Sequence, residues 1–286
     1  MICRTKLIPL IISLLILSAS AFAQDPAAPD SAHLFAHGGE NGGKAAEKSP
    51  TARGNQTSAA QEDRGGWVVA AYVGGAHTGD TSLRVSQPAL GNDLTFERVR
   101  LQSRSFDPPL YYGFRGGYFL PRASFLGFEA EFIHLKVFSN PGQQVRVTGL
   151  RRGALIDREL ALGEIVQQYS ISHGVNLLLF NVAARRGVKR GADSPEGRLI
   201  LAVRAGVGPT LPHTESNVEG QSQEQYELGR VAWQAAGGAE FRLWRGLYAL
   251  GEYKFTRTRQ RGEIFSGRVE SLLRTHHGVF GLGYHF

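Results

Sequence analysis

Cysteine and methionine are almost absent from this sequence of 286 residues, in which each occurs once. The single cysteine, Cys3, precedes an apolar run near the N-terminus. The chain beyond that run therefore cannot form disulfides, bind metal through thiolates or use a cysteine nucleophile. After residue 23 the sequence also lacks any run of about 20 apolar residues, which a transmembrane helix needs. Such a chain can enter a membrane only as a closed β-barrel, because only helices and closed barrels pair every backbone polar group in lipid.

The N-terminus has the pattern of a secretory signal peptide. Two basic residues precede an apolar run from Leu7 to Leu17, and Ala21-Phe22-Ala23 forms an Ala-x-Ala cleavage site. We therefore predict a signal peptide over residues 1–23, with Gln24 as the first mature residue. Residues 24–65 are rich in small and charged residues and poor in large apolar ones, which predicts a disordered periplasmic lead-in.

Alternation of apolar and polar residues with period 2 predicts strands from Trp67 onward. At the C-terminus, Phe280, Leu282, Tyr284 and Phe286 share one face, and a terminal aromatic is typical of outer-membrane barrels. Every candidate strand reaches the roughly 9–11 residues that a transmembrane strand needs. The candidates are 67–77, 109–120, 125–138, 166–184, 198–212, 225–243, 247–258 and 272–286. For residues 66–286 we therefore predict an all-β fold, an eight-stranded antiparallel up-and-down transmembrane barrel with long extracellular loops and short periplasmic turns.

The same alternation predicts a charged barrel interior. The set predicted to face the lumen is Arg115, Glu129, Glu131, Arg204, Gln234, Glu240, Glu252 and Lys254. Buried charges must be paired, so we expect an internal ion-pair network that stiffens the barrel, with a polar catalytic or binding interior as the alternative. The pattern changes phase in the third strand, which predicts a bulge near Phe132-Ile133 that turns His134 and Lys136 inward. Side chains just fill an eight-stranded barrel, which argues against a wide diffusion pore.

Six of the nine histidines fall in the half of the barrel that this topology places outside the cell. They are His77, His134, His173, His213, His276 and His277. Imidazoles at one height can bind a metal or act as acid and base, and Glu215 adds a carboxylate two residues after His213. The alternative interpretation is that these imidazoles contact lipid head groups.

The predicted outer loops are rich in arginine, whose guanidinium group matches phosphate geometry. The chain carries a formal net charge of +7. Behind an export signal, this charge indicates outer-leaflet lipid and lipopolysaccharide as partners rather than nucleic acid. These arginines either contact lipopolysaccharide phosphates in general or position a lipid A substrate, and in the second case Arg104 and Arg151 are the predicted phosphate contacts. We expect a monomer in the outer membrane of a Gram-negative bacterium.

Several segments together resemble a family of small outer-membrane barrels that includes a bacterial lipid A oxidase. These segments are Tyr72-Val73-Gly74-Gly75-Ala76-His77-Thr78, Asp93-Leu94-Thr95-Phe96, Ser105-Phe106-Asp107-Pro108-Pro109-Leu110-Tyr111-Tyr112-Gly113, Phe132-Ile133-His134-Leu135-Lys136-Val137, Ser172-His173-Gly174-Val175-Asn176-Leu177-Leu178 and Glu252-Tyr253-Lys254-Phe255-Thr256. The resemblance covers residues 67–286. For the oxidase it implies oxygen-dependent conversion of the proximal glucosamine of lipid A to an aminogluconate unit.

The leading functional expectation is an outer-membrane barrel whose outer face contacts lipid A, with lipid A oxidation as its finer form. For an oxidase, the candidate metal or acid–base groups are His134, His173, His213 and Glu215. Iron or copper is then the expected cofactor, because side chains alone do not activate oxygen and imidazole and carboxylate suit these metals. The alternative is a structural or adhesive barrel of the outer-membrane protein A type. A third possibility, lateral passage of small apolar molecules, conflicts with the predicted luminal charges.

Overall fold

The computed structural model describes residues 65–188 and 198–286. The predicted signal peptide lies outside these residues, and so does the lead-in except for Gly65. In chain order the strands are β1 (Gly66–Thr78), β2 (Thr81–Gln87), β3 (Asn92–Val99), β4 (Leu101–Gln102), β5 (Tyr112–Leu120), β6 (Ala123–His134), β7 (Val137–Ser139), β8 (Gln144–Arg151), β9 (Ala154–Ala161), β10 (Val166–Ile171), β11 (Leu177–Val188), β12 (Leu199–Gly208), β13 (His213–Val218), β14 (Gln221–Tyr226), β15 (Ala232–Trp244), β16 (Leu247–Ile264) and β17 (Gly267–His285). Short 3-10 helices span Pro88–Leu90 and Leu162–Glu164. None of the helices in the described ranges is long and apolar enough to cross a membrane.

Eight of these strands close into an antiparallel barrel, which confirms the predicted fold class. The barrel order is β1-β5-β6-β11-β12-β15-β16-β17, and β17 returns to pair with β1 along Val68–Thr78. At one end of the barrel, two-residue turns join β5 to β6 and β15 to β16. We call this the turn end and the opposite end, with its long connections, the loop end.

An apolar belt surrounds the barrel because outward positions alternate with inward ones along every strand. Exposed apolar side chains on this belt are Phe114, Phe128, Phe180, Val182, Leu201, Val203, Phe241, Phe280 and Leu282. Exposed aromatic residues lie at the turn-end rim, where Trp67, Trp244 and Phe286 are found. About ten residues of β17 separate Phe286 from His276, so at about 3.4 Å per residue and a tilt of about 40° the belt is roughly 26 Å tall.

Charged side chains fill the lumen and are connected to one another, as the alternation predicts. Arg204 donates from Nε to Glu129 Oε2 (2.7 Å) and from Nη2 to Glu240 Oε1 (2.9 Å), and its third nitrogen donates to Glu252. Arg115 Nη1 also lies 3.2 Å from Glu252 Oε1. Since every one of these groups is buried, their mutual pairing replaces the water that each charge lost.

A second group of luminal contacts surrounds Lys254, which is fully buried in β16. Its Nζ donates to Glu131 Oε1 (2.6 Å) and to Glu252. The Tyr72 hydroxyl donates to the same Glu131 oxygen at 2.7 Å, and Asn181 Nδ2 donates to the other oxygen at 3.0 Å. Lys254 therefore bridges two buried carboxylates, Glu131 and Glu252, which also share Arg115 as a partner.

The long connections predicted at 78–108, 139–165, 213–224 and 259–271 contain strands of their own, which were not predicted from the sequence. Strands β2, β3, β8 and β9 extend the barrel sheet from the upper part of β17. A second sheet of order β14-β13-β10-β7-β4 faces them. Residues of both sheets, such as Leu94, Phe96, Tyr169 and Ile171, belong to one buried apolar cluster. We call these two packed sheets the loop-end sandwich.

Tyr169 shows how fully the loop-end sandwich excludes water. Its ring is buried in the apolar cluster, and its hydroxyl lies 2.9 Å from Ser271 Oγ on β17. Burial raises the pKa of Tyr169 to about 12, although the hydrogen bond to Ser271 lowers it in part. A phenol in this environment stays neutral at any physiological pH.

The predicted fourth strand, 166–184, is wrong as a single element. Residues 166–171 form β10 of the second sheet, whereas the barrel strand β11 begins at Leu177. Between them, Gly174 (φ 103°) and Asn176 (φ 47°) take left-handed backbone conformations that end a strand. The alternating pattern runs across this break, so periodicity alone could not locate it.

The predicted bulge near Phe132-Ile133 is also wrong. β6 pairs with β5 in continuous register from Gly127 to His134 and with β11 from Leu126 to Ile133, and its one register shift lies near the turn end. The change of phase arises because the chain leaves the barrel after His134, and Val137 already belongs to the second sheet. His134 keeps the outward parity of Phe132 and stacks on Tyr112, 4.9 Å between ring centroids, instead of turning into the lumen.

Replacement of Lys254 by methionine tests the luminal network. The Lys254→Met variant removes one of the cations that Glu131 and Glu252 share, while Arg115 and Arg204 remain in place, so we expect the free energy of unfolding to fall by about 1–3 kcal/mol. Urea unfolding of the refolded protein in lipid vesicles, followed by tryptophan fluorescence, measures this change. Arg261→Met removes an exposed cation from the same strand and should change the free energy by less than about 0.5 kcal/mol. Equal midpoints for the two variants would contradict the assigned role.

A matched pair of leucines tests the core of the loop-end sandwich. Leu94 is 0% exposed and Leu155 is 88% exposed. Leu94→Ala leaves a cavity, and we expect a loss of about 3–5 kcal/mol of local stability, whereas Leu155→Ala should be neutral. Limited proteolysis of the refolded protein should cut the loop-end strands faster in the Leu94 variant only. Equal cleavage rates would show that Leu94 does not support the sandwich.

Candidate metal centre

Three of the four predicted site residues lie together in the loop-end sandwich, His213 and Glu215 on β13 and His173 in the turn after β10. In the described part of the chain, His173, His213 and Glu215 form a group whose ligand atoms all lie within 4.8 Å of one another. His173 Nδ1 is 2.8 Å from His213 Nδ1 and 3.6 Å from Glu215 Oε1. His213 Nδ1 is 3.9 Å from the same carboxylate oxygen. This group is chemically able to act as a metal ligand set or as an acid–base pair.

The hairpin of β13 and β14 fixes the position of His213. The turn between these strands places Glu219 (φ 52°) and Gly220 (φ 79°) in left-handed conformations, as a two-residue type I′ turn requires. In the resulting register His213 pairs with Tyr226 and stacks on its ring, 4.0 Å between centroids. The side chain of His213 is only 3% exposed, so its ring cannot easily rotate away.

Glu224 determines which nitrogen of His213 carries a proton. His213 Nε2 lies 2.9 Å from Glu224 Oε1, and an ionised carboxylate can only accept a hydrogen bond. The proton therefore belongs on Nε2, and the lone pair of Nδ1 points toward His173 and Glu215. A carboxylate behind a histidine in this way is the usual support of a metal-binding imidazole.

Glu215 is oriented by polar neighbours on β10 and on the residues that follow it. Its Oε2 accepts hydrogen bonds from Gln168 Nε2 at 3.0 Å and from Ser170 Oγ at 3.4 Å. Its Oε1 accepts from Ser172 Oγ, which also lies 3.0 Å from His173 Nδ1. One carboxylate oxygen is thus held by the sheet, while the other faces the two imidazoles.

The fourth predicted residue, His134, is not part of this group of ligand atoms. Its Nδ1 lies 2.9 Å from Asn176 Oδ1, and Asn176 Nδ2 donates to the carbonyl oxygens of His173 and Leu211. His134 Nε2 is buried without a hydrogen-bond partner. Through Asn176, His134 therefore supports the segments that carry His173 and His213, while its own ring nitrogens lie outside the group of ligand atoms.

The remaining upper histidines form two separate arrangements. His77 and His276 are cross-strand partners on the exposed face of β1 and β17, and His276 Nδ1 lies 2.6 Å from the Tyr253 hydroxyl. His277 faces the lumen, where its ring nitrogens contact Tyr111 Oη (3.0 Å) and Thr256 Oγ1 (2.8 Å). The six histidines expected at one height therefore occupy four separate locations, and the group of His173 and His213 includes the carboxylate of Glu215.

Sequence reasoning missed Glu224, Gln168 and Ser172. Glu224 lies in the predicted connection 213–224, because the segment Gln221–Tyr226 is almost entirely polar and shows no apolar alternation. In the structure this segment is β14, which places Glu224 opposite Glu215. The contacts of Gln168 and Ser172 with Glu215 depend on the pairing of β10 with β13. These two strands belong to different connections of the barrel, so no local sequence pattern reveals that they pair.

The arginines of the loop end fall into paired and unpaired groups. Arg151, predicted as a phosphate contact, donates from Nε to Glu219 Oε1 at 2.9 Å, and Arg152 donates to the other oxygen. Burial would raise the pKa of Glu219, but the hydrogen bonds and charges of both arginines outweigh it and lower that pKa. Arg104 lies over the ring of Phe138, 4.5 Å from its centroid. Arg151 is therefore occupied, which makes it a poor phosphate ligand.

Four arginines on the outward face of β16 and β17 have a different environment. Arg257, Arg259, Arg261 and Arg274 are exposed and form no ion pair with a carboxylate among the described residues. Arg257 and Arg274 are direct cross-strand partners, one step above Phe255 and His276 on this outward face. We call these four residues the arginine face.

Comparisons with known proteins support no closer assignment. No protein-family model matches this chain, and no curated protein is detectably similar to it. Among solved structures it resembles Neisserial surface protein A (9% identity, 77% of this chain and 97% of that one, TM-score 0.36). It also resembles Ail, the attachment invasion locus protein of Yersinia pestis, with 10% identity, coverage of 74% of this chain and 98% of that one, and a TM-score of 0.26. A third similar structure is the outer membrane protease OmpT of Escherichia coli, with 9% identity, coverage of 77% of this chain and 97% of that one, and a TM-score of 0.30. These values are too low to transfer an activity or a partner, and the resemblance to the family of the lipid A oxidase stays a prediction.

Proposed function

We propose that this chain is an outer-membrane barrel that contacts lipopolysaccharide with its loop end. The observation that carries the proposal is the arginine face directly above the apolar belt. The belt, roughly 26 Å tall by its strand geometry, matches the apolar band of about 25 Å found on outer-membrane barrels. With the turn end in the periplasm, the loop end reaches the outer leaflet and the cell exterior.

The filled lumen argues that the protein does not work as a diffusion pore. The luminal salt bridges occupy the interior, and apolar residues of the loop-end sandwich continue the core above them. A closed barrel also leaves no unpaired barrel edge that would require a partner chain, which favours a monomer. The functional surface is then the outside of the loop end.

The arginine face suits phosphate groups anchored at the membrane surface. Arg257 and Arg274 lie where the apolar belt ends, beside Trp233 and Phe255. Lipid A brings phosphates to this height while its acyl chains contact the belt. Guanidinium groups without a protein partner can bind such phosphates bidentately without first breaking an ion pair.

Removal of the two lowest arginines tests this contact. The variant Arg257→Gln/Arg274→Gln should bind bisphosphorylated lipid A at least tenfold more weakly, because each charge-assisted hydrogen bond contributes about 1.5–3 kcal/mol. Titration of the refolded protein in detergent, measured by native mass spectrometry, gives the affinity. The difference should shrink when both phosphates are removed from the lipid.

Arg84→Gln/Arg146→Gln is the matched control for this titration. Both arginines are exposed, but each is paired with an aspartate, Asp93 and Asp157 respectively. The control loses the same charge and should keep nearly full affinity. Equal weakening in both double variants would mean that net charge alone attracts the lipid, and it would refute a localised contact.

Lipid A oxidation is a second candidate function, favoured by the group of His173, His213 and Glu215. Two imidazoles and one carboxylate are ligands that iron accepts, and imidazole also suits copper. A bound metal of this kind would supply the oxygen activation that side chains lack. His173 is 58% exposed, and the apolar side chains of Leu211, Tyr226 and Leu228 near this segment are exposed as well. A membrane-anchored substrate therefore has open access to the group.

Mass spectrometry of lipid A from aerated cells with and without the protein tests this second candidate. We expect a gain of one oxygen atom that requires the protein and disappears in His213→Ala. Arg84→Gln, remote from the histidine group, should retain the modification. Unchanged lipid A in cells that contain the folded barrel would reject oxidation and favour a structural or adhesive role.

A further inference from the structure

We propose that His173, His213 and Glu215 bind one divalent first-row transition metal ion at an open site on the loop-end sandwich. The inference concerns metal binding alone. It shares residues with the candidate lipid A oxidation, but it depends neither on that reaction nor on the arginine face.

The distances between the three ligand atoms fit a tetrahedral ion. Metal–nitrogen and metal–oxygen bonds of about 2.0–2.1 Å at tetrahedral angles place neighbouring ligand atoms about 3.3 Å apart. The observed separations of 2.8, 3.6 and 3.9 Å lie on both sides of this value. Rotation of the exposed His173 would bring the first two separations closer to this value, and a small shift of the Glu215 carboxylate would do the same for the third.

The outer neighbours of the group are those that a metal site needs. Glu224 holds the proton of His213 on Nε2, which directs the Nδ1 lone pair into the group. Gln168 and Ser170 hold one oxygen of Glu215 and leave the other directed inward. Supporting partners of this kind orient ligands before the ion arrives, and their loss typically lowers metal affinity 10- to 100-fold.

Charge balance also favours a cation here. Glu215 and Glu224 are direct cross-strand partners, and like charges in that position destabilise a sheet. Among the described residues, no lysine or arginine forms an ion pair with either of them. A divalent ion between Glu215 and the imidazoles would relieve this repulsion.

Ligand chemistry and exposure define the class of ion and the type of site. Two imidazoles exclude a preference for calcium or magnesium, which take oxygen ligands. Three protein ligands leave the fourth position of a tetrahedral ion to water or substrate, which is the arrangement of catalytic rather than structural sites. His213 is nearly buried, whereas His173 is open to solvent, so the free position faces outward.

Zinc binding by the refolded full chain tests the proposal. The experiment uses a His33→Ala/His37→Ala background, because these two histidines are four residues apart in the sequence and could bind zinc themselves. After chelator treatment and equilibrium dialysis with zinc, we expect the background chain to bind one zinc ion per chain. The same chain with His213→Ala or His173→Ala should bind none. Glu224→Gln should retain the site with 10- to 100-fold lower affinity. Cobalt bound at the site should give visible absorption bands that the His213 variant lacks.

His77→Ala is the matched control, since His77 is an exposed histidine outside the group, and it should bind zinc as the background chain does. Heat-dependent migration in gels confirms that each variant forms the barrel. Full zinc binding by a folded His213→Ala variant, loss of the ion in His77→Ala, or displacement of zinc by equimolar calcium would each overturn the proposal. Zinc binding together with unmodified lipid A would support the metal site and reject only the oxidase.

Discussion

The long hairpin of β16 and β17 is the constraint on which both parts of the molecule depend. Below, β17 pairs with β1 and closes the barrel; above, the same strand pairs with β2 and begins the loop-end sandwich. β16 contributes Lys254 to the lumen and Ile264 to the sandwich core. Because one continuous pair of strands carries both parts, the barrel wall holds the sandwich at a fixed position above it. His213 and Glu215 on β13 and the arginine face on β16 and β17 inherit this rigidity from their strands, whereas His173 lies in the turn after β10.

The barrel lumen and the loop-end sandwich bury different kinds of side chain. In the lumen, charges are buried and must neutralise one another, as Arg204 does for three glutamates. In the sandwich, apolar side chains exclude water and polar groups are few, as the neutral Tyr169 illustrates. The proposed metal site lies at the surface of the loop-end sandwich, where the imidazole of His213 is buried and that of His173 is exposed to solvent. Such a position combines firmly held ligands with access from outside.

Sequence reasoning located the barrel because its signals are local. Alternation along each strand identified the luminal charges, including Arg115 and Lys254, and the lipid-facing Phe280 and Leu282. It failed where pairing joins distant segments, since nothing in Val166–Ile171 shows that it pairs with β13 and not with a barrel neighbour. His173, His213 and Glu215 were selected as residue types at one inferred height. Their contacts with one another depend on the pairing of β10 with β13. His134 lies apart from them because β6 ends at this residue, whereas the change of phase in the sequence predicted a bulge there.

The loop-end sandwich draws strands from every long connection of the barrel. Pairing of β3 with β8, of β10 with β13 and of β17 with β2 joins the first connection to the second, the second to the third and the last hairpin to the first. No single connection can therefore complete the sandwich core by itself. In the orientation proposed above, all of these segments would have to cross the bilayer before the core could form. The loop-end sandwich would then be the last part of the molecule to assemble, on the outer side of the membrane.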